Sequence, residues 1–140
     1  MKLLKSLTVI LTLAFAGAAT AETLTLRVET QSATGTLRAA VFDSQQAFEA
    51  DRIVANVMGP AVVGVTELHM ENLEPGTYGL AIFQDLNGNE ELDTNLFGAP
   101  NEPFGFSNNP KIWFSAPKFS AFKFHFDGNP TMVNITLNGG

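Results

Sequence analysis

Apolar and polar residues alternate along most of this chain with the period of two that marks a half-buried strand. In Thr23–Thr30, Leu24, Leu26 and Val28 share one face, and Thr25, Arg27 and Glu29 share the other. A turn at Ser32-Ala33-Thr34-Gly35 leads into Thr36–Phe42, where Leu37, Ala39 and Val41 alternate against Arg38. The pattern then changes. Asp43–Arg52 has the spacing of a capping box, Asp43 with Gln46 three residues on, and predicts a short helical turn near 44–51. Ile53–Met58 is an apolar candidate strand, closed by Gly59-Pro60. Val62–Leu73 resumes the alternation, with Leu68 and Met70 inward and Gly64 at a candidate bulge.

After the turn Glu74-Pro75-Gly76-Thr77, the stretch Tyr78–Gln84 is apolar on both parities. That is the signature of a central strand covered on both sides. Near the end, Phe122, Phe124 and Phe126 alternate with Lys123 and His125. The last strand, Thr131–Leu137, turns Val133, Ile135 and Leu137 inward. Frequent Gly, Pro and Asn turns and hardly any helix predict an all-β fold. The expectation is a single antiparallel β-sandwich of about six to eight strands, immunoglobulin-like or transthyretin-like.

The segment 85–110 breaks this rhythm, being long and rich in Asn, Gly and Pro. Such loops are usually functional, organised by an ion or disordered. Within it, Asp85, Asn87, Asn89 and Asp93 hold positions one, three, five and nine of a calcium loop, with Leu92 at position eight. Every second side chain of such a loop points inward, and Ca²⁺ takes six to eight oxygens. Glu90 stands at the position that normally holds Gly, and Leu96 where a bidentate Glu belongs. Glu90, Glu91, Asn95 or backbone carbonyls are candidate replacement ligands. The expected metal set is therefore Asp85, Asn87, Asn89, Glu91 and Asp93, for one Ca²⁺. The competing reading is a metal-free hairpin, because Asn87-Gly88 is also a strong two-residue turn signal.

The first residues alter the picture of location. Lys2 and Lys5 precede the apolar run Leu7–Ala16, and Ala19-Thr20-Ala21 is a small-x-small cleavage triplet. This is the pattern of a secretory signal peptide. The run is too short for a spanning helix. Residues 1–21 are expected to be a leader and 22–140 a single exported domain, periplasmic or secreted. Without cysteine, neither a lipoprotein anchor nor a disulfide is available. The full chain of 140 residues carries a formal charge of −6. Its two leader lysines count against that figure, so the domain is more acidic still. Such a charge opposes nucleic-acid binding and suits divalent cations.

Catalytic chemistry finds little support. Ser107 in Gly105-Phe106-Ser107-Asn108-Asn109 fails the nucleophile elbow, because Asn109 replaces its second Gly. His69 and His125 lie on outward strand positions and lack metal-ligand spacing. No catalytic residue is assigned. The aromatics Phe97, Phe104, Phe106, Trp113, Phe114 and Phe119 crowd one stretch. They either pin the long loop to the sandwich or form a contact surface.

Taken together, Leu37–Asp43 with Phe48, Leu73-Glu74-Pro75-Gly76-Thr77-Tyr78, the D-x-N-x-N…L-D run at Asp85–Asp93 and Gly105–Asn109 resemble the bacterial exported family called domain of unknown function 2141. The resemblance covers about Leu24 to Leu137 and implies an exported protein with no assigned activity. The L-x-P-G-x-Y element also looks like transthyretin-like and collagen-adhesin B-type sandwiches, some of which carry calcium loops. The leading expectation is a non-catalytic, calcium-stabilised binding or structural module of the cell envelope, meeting an envelope or extracellular partner. The alternative is a small-ligand binder or hydrolase-like enzyme using the aromatic loop 97–119, with Ser107, Asn108 or His125 as polar groups.

Overall fold

The computed structural model describes residues 23–139, so the leader read at residues 1–21 lies outside the described residues. Eight strands and two short helices follow one another: β1 Thr23–Thr30, β2 Thr36–Phe42, α1 Gln45–Glu49, β3 Ala55–Pro60, β4 Gly64–Glu71, β5 Gly76–Asp85, β6 Phe104–Phe106, α2 Phe119–Phe122, β7 Lys123–Phe126 and β8 Thr131–Thr136. They form a sandwich of two sheets. One has the order β4-β1-β8, and the other the order β3-β2-β5-β6 with β7 also on β5. All pairings are antiparallel except β1 with β8, which run parallel. No helix among the described residues is long and apolar enough to cross a membrane.

The inner faces meet as the alternation requires. Leu24, Leu26 and Val28 of β1 and Leu37, Ala39 and Val41 of β2 are buried in one cluster with Leu80, Ile82, Phe126 and Ile135. The doubly apolar β5 is covered on both sides. Gly79 and Ala81 face a second cluster on the outside of the larger sheet, where Phe42, Phe106, Phe119 and Phe122 pack with Phe48. The rings meet mainly edge to face, Phe48 and Phe122 with centroids 5.1 Å apart, the favoured arrangement for aromatic pairs. Gly79 makes this layer possible, because a Cβ there would stand 2.4 Å from the Phe122 ring.

Ser44 rather than Asp43 caps α1, accepting from Ala47 N at 3.0 Å, and Gly64 pairs with Thr30 in unbroken register, without a bulge. Three further departures from the sequence expectation have physical causes. The strand after α1 begins at Ala55 and includes Gly59 and Pro60, since Pro60 sits on an edge strand where its missing N–H costs no ladder bond. The long segment contributes β6, three residues paired with β5. Phe122 belongs to a helical turn and faces the outer aromatic layer, while Phe126 faces the inter-sheet core.

Candidate functional site

The loop that follows β5 starts from an anchored carboxylate. Asp85 ends β5 with no solvent exposure, its Cα opposite Thr36. Arg38, two residues along β2, donates from Nε to Asp85 Oδ2 at 2.9 Å. The same oxygen accepts from Glu90 N at 2.9 Å, and Oδ1 accepts from Gly88 N at 2.8 Å. One carboxylate thus folds the loop back over its own strand. Burial pushes the Asp85 carboxyl upward. The bonds from Arg38, Glu90 and Gly88 and the guanidinium charge outweigh that and hold it below the ordinary value of 3.8. Glu90 closes the turn at φ 67°, left-handed without being Gly, and its carboxylate reaches Arg38 Nη2 at 3.4 Å.

A second carboxylate closes the loop from its far end. Glu102 is buried and accepts from Leu86 N at 2.9 Å and from Asp93 N at 3.1 Å. It carries no ion pair among the described residues. The sequence reading missed it. It is a single Glu between Asn101 and Pro103, and its partners lie nine and sixteen residues upstream. Proline after it, biasing Glu102 to extended backbone, was the available signal.

The other expected ligands lie on the loop's solvent side. Asp93 accepts from Asn87 Nδ2 at 2.5 Å and from Asn89 Nδ2 at 2.7 Å. The amide oxygens of Asn87 and Asn89 accept from the backbone N–H groups of Asn89 and Glu91, in Asx turns. Glu91 is exposed. The loop therefore brings Asn87, Asn89 and Asp93 together and keeps Asp85 apart on Arg38. Among the described residues no three Asp, Glu, His or Cys side chains form a ligand set. The donor chemistry nevertheless suits a hard cation. Asp85, Glu90, Glu91, Asp93 and Glu102 place five carboxylates on one loop, and Arg38 is the cation paired to it.

The Gly105–Asn109 motif serves to tie backbones together. Ser107 is fully buried, donates its hydroxyl to Phe122 O and accepts from Leu80 N at 3.0 Å. Asn108 donates to Lys123 O at 2.8 Å. Asn109 accepts from Thr136 N at 2.9 Å and so joins β6 to the other sheet. His125 is exposed on β7 opposite Thr77, and His69 meets Thr25 Oγ1 at 3.1 Å. Ser107 and Asn108 thus spend their polar groups on main-chain partners. An open groove of about 730 Å³ lies between α1 and the 115–120 segment, with Lys118 and Lys123 on its wall.

The crowded aromatics divide into two groups. Phe104, Phe106 and Phe119 join the outer layer, while Phe97, Trp113 and Phe114 are exposed at 95%, 78% and 101%.

No curated protein and no solved structure matches the chain. A family model does match, over residues 28–134, and its description is an uncharacterized protein conserved in bacteria. That match spans β1 to β8, including the Asp85–Glu102 loop and the Ser107–Asn109 clasp, and on it the chain belongs to the domain of unknown function 2141 family.

Proposed function

We propose that this protein is an exported, non-catalytic binding or structural module of the cell envelope whose Asp85–Glu102 loop takes one Ca²⁺. The observation that carries the reading is the charge on that loop, five carboxylates set against Arg38, with buried Glu102 lacking an ion pair among the described residues. Asp93, Asn87, Asn89 and Glu91 would hold the ion, and Asp85 and Glu102 would keep the loop's backbone in place. The ion would neutralise the loop and rigidify it, as hard cations do in oxygen-rich loops. A role as a module also agrees with the motif around Ser107, whose polar groups serve the main chain. The transthyretin-like likeness of the turn before Tyr78 belongs to the same reading.

A thermal melt tests it. A ligand bound only by the folded state raises stability with its concentration. At tenfold excess over Kd the midpoint should rise by about 5 °C relative to EDTA. Asp93→Asn should remove the rise and leave the EDTA midpoint nearly unchanged. A wild-type midpoint that stays put at millimolar calcium overturns the metal assignment.

A further inference from the structure

We infer that the Lys111–Lys123 face is a docking site for an anionic phospholipid surface. Residues 103–126 contain no Asp or Glu, in a chain whose formal charge is −6. Every lysine of the described residues, Lys111, Lys118 and Lys123, falls in that stretch, and all three are exposed. None of them is ion-paired among the described residues. The carboxylate that lines the same groove as Lys118 and Lys123 is Glu49, held by Gln45 Nε2 at 2.8 Å.

Between Lys111 and Lys118 the chain presents Trp113 and Phe114, almost wholly exposed. They do not dangle. Ile112 on one side and Phe119 on the other pack into the outer aromatic layer and fix the loop's base. A displayed Trp-Phe pair flanked by lysines is the chemistry of the membrane–water interface. The rings enter the headgroup region and the ammonium groups meet lipid phosphates. Charge chooses this occupant. The exposed Leu96-Phe97 pair, by contrast, lies on the carboxylate-rich loop, where an anionic surface is repelled, and the exposed Ile53-Val54 and Val62-Val63 pairs carry no aromatic ring and no lysine beside them.

Trp113 is the single tryptophan of the chain, so its fluorescence reports the event directly. The full-length domain is mixed with vesicles of phosphatidylglycerol and phosphatidylcholine at low salt, in EDTA so that the calcium reading is not engaged. The expected result is co-sedimentation and a blue shift of Trp113 emission, both fading as salt rises. Lys111→Gln with Lys118→Gln should weaken binding on the order of thirtyfold, about fivefold per lysine. Trp113→Ser with Phe114→Ser should abolish co-sedimentation with the circular dichroism unchanged. Leu96→Ser with Phe97→Ser should leave it intact. The inference is overturned by no co-sedimentation and no shift, or by equal binding to pure phosphatidylcholine. It is equally overturned by loss of binding on changing Leu96 and Phe97, or by binding to poly-glutamate without binding to vesicles.

Discussion

Arg38 and Asp85 face each other diagonally across the β2–β5 ladder, Nε to Oδ2 at 2.9 Å, and the loop on which the metal reading rests is built on that contact. The pair fixes the direction in which the chain leaves β5. The two loop N–H groups on Asp85 then set the turn.

Acid should therefore loosen this end of the molecule first. Asp85 has its folded-state pKa lowered below 3.8. Its contribution is complete above the unfolded value and is lost as pH falls through the folded one. Urea midpoints should fall below about pH 4. In Asp85→Asn that acid limb should flatten, and the variant should be less stable than wild type at pH 7. Asp127, also lowered through its bonds to Asn129, will leave a residual slope.

Glu90 holds a left-handed turn at φ 67°, a conformation that costs a side-chain-bearing residue about 1 kcal/mol. Its contact with Arg38 is exposed and worth little. Glu90→Gly should raise stability by about 0.5 kcal/mol, read from urea denaturation in EDTA.

Ser107→Ala removes a buried hydroxyl that serves Leu80 N and Phe122 O. Both groups would be left without a partner, a loss of about 2–4 kcal/mol. Equilibrium unfolding measures it. Ser107→Thr should not rescue the variant, since Gly79 shows how little room lies next to Phe122.

Tyr78 donates its hydroxyl to Glu74 O at 2.6 Å and pins the turn entering β5. Tyr78→Phe should cost about 1 kcal/mol. The phenol's pKa is raised from 10.0 by burial and then by the charges of Glu74 and Asp43. Its contribution is full below the unfolded value and disappears as pH climbs through the folded one. An alkaline limb above about pH 10 should be present in wild type and absent in Tyr78→Phe, by thermal melts across pH.

The strands were legible where one face is buried, because Leu24-Leu26-Val28 and Leu37-Ala39-Val41 have a single inward set. The double covering of β5 was legible too, as an apolar run on both parities. Phe122 was not. Phe122, Phe124 and Phe126 alternate like a strand, yet Phe119 and Phe122 are one helical turn apart and both roof the outer sheet. In the loop, the spacing from Asp85 to Asp93 revealed a folded turn. It did not reveal Arg38 or Glu102, because tertiary partners from distant segments leave no local period. The parallel pairing of β1 with β8 was hidden for the same reason.

That pairing has a kinetic consequence. β1 is the middle strand of its sheet, and one of its neighbours is formed by Thr131–Thr136. Its N-terminal residues wait for almost the whole chain before both their edges are satisfied. Contacts that span so much sequence slow the search for the native state. A chain made from its N-terminus should therefore complete the β4-β1-β8 sheet only after Thr131–Thr136 has been added.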